Sequence, residues 1–168
     1  MFVYGGQISS LNNTNQFMSY NFTTKEWINI IPSNTMQLPP LDSHVGVIWK
    51  KEDGSESMIV VGGFIGGEVG EYSKGVFEYK FGENTWNTLF HNKVIESEDV
   101  EKKGIPQGRM SMGAAIYKND LYMFGGNEGS TKFNDLWKFD LLTNKWSKVK
   151  IEGNFSPEVR LLLINFFS

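Results

Sequence analysis

The sequence predicts an all-β protein assembled from three copies of one small antiparallel sheet. Three observations carry that expectation. Apolar runs closed by two glycines occur three times, as MFVYGG (1–6), MIVVGG (58–63) and LYMFGG (121–126). Each is followed, after a polar loop, by an aromatic-rich segment ending in tryptophan: YNFTTKEW (20–27), YKFGENTW (79–86) and FDLLTNKW (139–146). In all three the leading aromatic stands seven residues before Trp27, Trp86 or Trp146, and the tryptophans recur at 59 and 60 residues, the diglycines at 57 and 63. Two linked features in register at a fixed period mark an internal repeat. The composition agrees: 14% aromatic residues and 18 glycines among 168 supply the bulky side chains and tight turns of a protein built from short strands.

Each element has a physical reading. The runs before the glycines are rich in Val, Ile, Phe, Tyr and Met, which suits strands buried on both faces. Gly5-Gly6, Gly62-Gly63 and Gly125-Gly126 then permit positive φ and a backbone approach that a Cβ would block. TTKE, GENT and LTNK are polar turns between two strands. The tryptophan after each turn can pack back over the neighbouring strands, withdrawing about 150–250 Å² of ring surface from water. At about 25 cal/mol per Å² that is worth about 4–6 kcal/mol as an upper bound. One further strand precedes the second and third diglycines, SHVGVIW (43–49) and SMGAAIY (111–117), each approached through a proline-containing stretch, LPPLD and IPQGR. Small residues near Gly46 and Ala114–Ala115 fit the crowded strand closest to a central axis. One unit therefore reads strand, strand–Gly–Gly, aromatic strand, turn, Trp strand: the four-stranded blade of a β-propeller.

The pattern resembles the kelch repeat. The third copy, GRMSMGAAIYKNDLYMFGGNEGSTKFNDLWKFDLLTNKW, places Arg109, Gly125-Gly126, Trp137, Phe139 and Trp146 where kelch units carry an arginine, the diglycine, the third-strand aromatics and the closing tryptophan. Two departures stand out. The period is near 60, against about 50 for kelch. Leu41 also stands where the third unit has Arg109, although His44 falls where kelch repeats often carry histidine. The extra length lies in KKEDGSES (50–57), a hydrophilic hairpin, and in FHNKVIESEDVEKKGIPQG (90–108), a charged connection suited to a solvated loop or a short surface helix.

The expected organisation is one kelch-repeat domain over 1–168, with blade A at 1–31, blade B at 43–90 and blade C at 109–150. Blade A lacks a strand before its Gly–Gly strand. The apolar run near the end, approached by Pro157 and Arg160 as Pro106 and Arg109 approach blade C, supplies a candidate strand. Residues 160–167 are thus expected to complete blade A by pairing against 1–5. Closed propellers have four to eight blades, so three imply an incomplete or open propeller, a piece of a longer one, or self-association through the open blade edges.

Charge and composition narrow the function. A net charge of -3 and a pI near 5.4 do not provide the concentrated basic surface that nucleic acid or an anionic membrane requires. The absence of cysteine excludes disulfides and cysteine metal sites and favours the cytoplasm. The longest apolar stretch, LLLINFF, is far below the ~20 residues of a membrane span. Among propeller enzymes, a galactose-oxidase-like copper site needs a cysteine, and a sialidase-like site needs three arginines where only Arg109 and Arg160 are present. His44 and His91 lack carboxylates at ligand spacing. GGFIGGEVG (62–70) lacks the Lys-Ser/Thr ending and the following helix of a phosphate loop.

No catalytic residue, metal or cofactor is therefore expected. The resemblance implies a non-enzymatic scaffold that binds another protein through its inter-strand loops, 7–16, 64–73 and 127–133, with the connections 31–42 and 90–108. Phe64, Ile65 and Tyr72 are the candidate apolar anchors, against the alternative that they fold back onto the blade. Arg109 and Arg160 either meet an acidic partner or tie loop carbonyls together. The other readings are an accessory part of a larger propeller enzyme whose reactive residues lie outside this chain, and a truncated product with no function of its own.

Overall fold

The apolar runs become strands, and their polar separators become turns. The computed structural model describes residues 1–67, 70–91 and 104–152, and every regular element there is a strand. In the first unit β1 (Phe2–Tyr4), β2 (Phe17–Asn21) and β3 (Glu26–Asn29) form a three-stranded antiparallel sheet. A long connection then carries β4 (Leu41–Asp42) and leads into β5 (Val45–Lys50) and β6 (Glu56–Val61). The short β7 (Phe64–Ile65) and β8 (Glu71–Tyr72) follow, and β9 (Val76–Lys80) and β10 (Thr85–Phe90) close the second unit. The third unit repeats that plan with β11 (Gly113–Tyr117), β12 (Asp120–Phe124), the short β13 (Asn127–Glu128) and β14 (Thr131–Lys132), then β15 (Leu136–Asp140) and β16 (Lys145–Lys148). The second sheet is ordered β10-β9-β6-β5 and the third β11-β12-β15-β16, the strand order expected of a propeller blade.

The three sheets share one register. Val3 pairs with Met18, Val60 with Phe77 and Met123 with Trp137, in each case two residues before the first glycine of the pair. Equivalent turns use equivalent chemistry. Asn21 Oδ1 accepts the N–H groups of Thr23 and Thr24, and Asp140 Oδ1 those of Leu142 and Thr143. In both, a short polar side chain replaces a backbone turn bond.

Packing follows from strand alternation. One face of the second sheet meets the first sheet, where Met58, Val60 and Trp86 cover Tyr4 and Phe17. Its other face meets the third sheet, where Ile59, Val61 and Val76 share a core with Met123, Phe139 and Trp146. The innermost strands β5 and β11 approach one another across this second interface, and the Ser111 N–H donates to the Ser43 carbonyl at 2.9 Å. Small side chains at Gly46, Ala114 and Ala115 belong to these two strands.

Two expectations need correction in the first unit. Its diglycine run is not buried on both faces: Phe2 and Val3 are exposed and only Tyr4 is buried. Trp27 is 49% exposed, against 2% for Trp86 and 9% for Trp146. Each tryptophan lies on the face turned toward the preceding sheet, and among the described residues no sheet precedes the first. Among the described residues the aromatic partner of Trp27 is its strand neighbour Tyr20, with ring centroids 5.1 Å apart. The expected pairing of 160–167 against 1–5 lies outside the described residues, as do the central part of the 90–108 connection and Arg160.

The diglycines are where sheet meets sheet. The Gly6 N–H donates to the Leu41 carbonyl at 2.8 Å, and the Gly63 N–H to the Arg109 carbonyl at 2.9 Å, so each pair is bonded to the segment leading into the next sheet. Gly63 has φ +98°, and a Cβ there would stand 2.7 Å from the Asp42 carbonyl oxygen and 2.8 Å from the His44 Cβ. Gly6, at φ +106°, has nothing within 4 Å of such a Cβ. Gly6→Ala is therefore expected to cost only backbone strain, about 1–3 kcal/mol. Gly63→Ala adds overpacking against backbone atoms and should cost about 1–3 kcal/mol more. Urea midpoints of the two variants measure the difference, and equal losses would refute a close-approach role for Gly63.

Candidate partner-binding rim

Antiparallel order sends the diglycine loops to one end of every sheet. The diglycine segments 5–16, 62–75 and 125–135 and the approaches to β5 and β11 all lie at this end, while the hairpin turns 22–25, 51–55, 81–84, 118–119 and 141–144 lie at the other. The loops at the diglycine end are built, not loose. Leu41 and Asp42 of β4 pair with Ile65 and Phe64 of β7, which in turn pair with Glu71 and Tyr72 of β8. Neighbouring loops are also joined: the Asn13 side-chain amide donates to the Phe64 carbonyl at 2.9 Å, and the Gly67 N–H to the Leu11 carbonyl at 2.9 Å. The result is a continuous rim running from the first sheet into the second.

The expected anchors fall on this rim with different exposures. Phe64, Ile65 and Tyr72 are half-buried, and the Phe64 and Tyr72 rings lie 5.1 Å apart. The Phe64 ring also lies over Gly70, where an added Cβ would overlap it. These side chains thus pack on their own loop while keeping part of their surface open. Ile8 and Leu11, in the loop of the first sheet, are the large apolar side chains most exposed on the rim between the two diglycines, at 71% and 60%. Sequence reading missed them because an isolated apolar residue in a polar loop gives no periodicity to detect. Their position in 7–16 was the only available signal.

Arg109 has a different fate. It is 1% exposed. Its guanidinium donates to both carboxylate oxygens of Asp135 and to the Gly125 carbonyl, its Nε donates to the Gln107 carbonyl, and its plane lies 4.0 Å from the Phe133 ring centroid. Asp135 also accepts the Trp137 indole N–H at 2.6 Å. Burial pushes the Asp135 carboxyl up, but the bonds and charge of Arg109 and the indole outweigh it, holding the group below the usual carboxylate range. Every donor direction of the guanidinium used here points into the protein. Asp135 was not legible in the sequence, yet the pair is a unit: by register the second sheet has Leu41 and Gly75 at the same two places, so both halves are missing together.

Other polar groups serve packing. His44 sits edge-on to Tyr4, 5.7 Å between ring centroids, with Nδ1 buried and without a hydrogen-bond partner among the described residues. Burial depresses its imidazole below the ordinary value, against the opposing pull of the Leu41 backbone and the Asp42 charge. Glu78 is buried between the second and third sheets, bonded to Lys51 Nζ at 2.8 Å and Ser57 Oγ at 2.7 Å. A groove of about 450 Å³ opens between the first sheet and the connection 31–38, lined in part by Phe17, Ile30, Met36 and Trp86. Among the described residues its lining includes no carboxylate, imidazole or amine. Tyr4, its one ionisable side chain, has its hydroxyl bonded to the Pro39 carbonyl at 2.8 Å and its pKa raised by burial.

Three- and four-stranded antiparallel sheets, stacked face to face with diglycines at their junctions, are blades of the β-propeller type. The family model for the KLHDC2/KLHL20/DRC7 Kelch-repeats domain matches residues 1–157, and the chain belongs to the kelch-repeat family. It is 27% identical over 163 residues to the leucine-zipper-like transcriptional regulator 1 homolog of Drosophila melanogaster, covering 94% of this chain and 15% of that protein. It is 29% identical over 149 residues to Kelch domain-containing protein 10 of Xenopus tropicalis, covering 89% of this chain and 34% of that protein. A shorter match, 34% identical over 58 residues, links it to the tRNA wybutosine-synthesizing protein 2/3/4 of Oryza sativa subsp. japonica, covering 34% of this chain and 6% of that protein. The chain thus spans about a third or less of the length of these relatives. No helix among the described residues is long and apolar enough to cross a membrane.

Proposed function

We propose that the chain is a non-catalytic, cytoplasmic protein-interaction scaffold that engages a partner protein through the diglycine-end rim. The carrying observation is the joining of loops 7–16 and 64–73 into one continuous surface, with Ile8 and Leu11 exposed beside half-buried Phe64, Ile65 and Tyr72. Partly exposed aromatic and aliphatic side chains on a pre-formed backbone lose little entropy on docking, so they are efficient anchors. Arg109 supports this surface from beneath and does not contact the partner; Arg160 keeps its place as a candidate contact to an acidic group. The family and its kelch-containing relatives support an interaction role, while the partner is defined here only as a protein that covers an apolar rim. A cysteine-free sequence suits the cytoplasm.

The test compares affinity capture by three forms of the chain. A double variant, Ile8→Asp with Leu11→Asp, alters the rim. Leu142→Asp alters the opposite end, where Leu142 is equally exposed. Both sites are solvated, so both variants should retain the wild-type thermal transition. Proteins retained by wild type and by Leu142→Asp should be lost from the rim variant. Loss confined to Leu142→Asp would refute the assignment.

A further inference from the structure

The first sheet presents outward a face that both other sheets bury. By the shared register, Val3, Met18, Tyr20 and Trp27 stand where the second sheet has Val60, Phe77, Tyr79 and Trp86, and the third Met123, Trp137, Phe139 and Trp146. All eight of the latter are buried between sheets. The ring pair is already set for docking: Tyr20–Trp27 centroids are 5.1 Å apart, against 5.1 Å for Tyr79–Trp86 and 4.9 Å for Phe139–Trp146. The face carries no ionisable side chain at these positions other than the Tyr20 phenol.

The complementary face is at the other end of the same chain. What receives Trp86 is the Tyr4–Phe17 pair, and what faces the Trp146 sheet is Val61–Val76. The third sheet has Phe124 paired with Leu136 at those positions, half-buried, with Tyr122 alongside. Of the charges on that face, Lys138 stands where the second sheet buries Glu78, while Asp120, Asp140 and Lys145 continue the face toward its hairpin end. Glu78 enters its interface paired with Lys51, and Lys138 is likewise paired within its own sheet, to Asp120 at 3.2 Å. An ion pair formed within one sheet can be covered with less cost than a lone charge.

We propose that the outward face of the first sheet docks on the outward face of the third sheet of a second copy of this chain. The contact reuses the geometry of the two intrachain interfaces. It is head-to-tail, and such contacts form rings where the rotation closes. Two chains of three sheets close one ring of six, within the four to eight that surround an axis. The rim of loops stays free in this assembly, so the proposal does not depend on the partner-binding role.

Light scattering on the purified 168-residue chain tests it. The expected mass is twice the 19.1 kDa of one chain. Trp27→Glu breaks one face and Tyr122→Glu the other, and each variant alone should run as a monomer. Their equimolar mixture retains one intact pair of faces and should recover dimer, which two misfolded variants would not do. Far-ultraviolet dichroism and the thermal transition check that each variant keeps its sheets. A wild-type chain that stays monomeric up to its solubility limit would overturn the proposal. So would a dimer insensitive to Trp27→Glu, or an open-ended series of larger species.

Discussion

Asp135→Asn is expected to lower the stability of the chain by about 3–5 kcal/mol, the usual penalty for stripping one partner from a buried ion pair. The substitution keeps the shape of the side chain and removes only its charge and one acceptor. It leaves the Arg109 guanidinium, 1% exposed, without a counter-ion among the groups bonded to it. At about 2–4 °C per kcal/mol for a domain of this size, the thermal midpoint should fall by on the order of 10 °C. The exposed pair Lys80–Glu83 is the control, because its disruption by Lys80→Ala should cost under about 1 kcal/mol. The pH dependence follows from the direction of the Asp135 shift. A carboxyl whose folded value lies below its unfolded value, about 3.9, stabilises fully above the unfolded value. That contribution is lost as pH falls through the depressed folded value. The wild type should therefore lose stability below about pH 4 more steeply than Asp135→Asn. A loss near zero in the variant, or parallel acid profiles, would show that the pair does not hold the third sheet to its approach segment.

Trp86→Ala should cost about 3–5 kcal/mol, as deletion of a large core side chain does. The indole contacts Tyr4, Phe17 and Tyr79, with centroids 5.4, 5.3 and 5.1 Å away, so its removal opens the interface of the first two sheets. Trp27→Ala, measured in the monomer, should cost about half as much or less, because half the side chain is already in water. The two residues occupy one position of one repeat, and only the neighbouring sheet differs. Urea titrations with unchanged slopes would measure the contrast. Equal losses would mean that the interface between sheets is not what makes this tryptophan matter.

Much of the architecture was legible because its signals are local. Strand alternation, the Asn and Asp turn residues and the glycine pairs are each decided within a few residues, and Val45–Lys50 and Gly113–Tyr117 fall inside or within one residue of the segments read as first strands. The proposed binding rim was half legible. Its loops could be named from their place between strands, but the two-residue strands at Phe64–Ile65 and Glu71–Tyr72 could not, since pairing with Leu41–Asp42 depends on a segment over twenty residues away. Arg109 was singled out as the arginine of the repeat pattern, with an acidic partner or the loop carbonyls as its alternative contacts. Its carboxylate partner lies 26 residues on, in a stretch with no pattern of its own.

The sequence by itself determined the repeat, the fold class, the turns and the family. These rest on backbone conformation and on the period-2 alternation of apolar side chains, both written into adjacent residues. Only the tertiary structure decided which tryptophan is covered, which arginine is spent on an internal carboxylate, and which loops join into one surface. Burial and charge pairing are properties of what lies across an interface, and one position of a repeat takes on a different value wherever its neighbouring sheet changes.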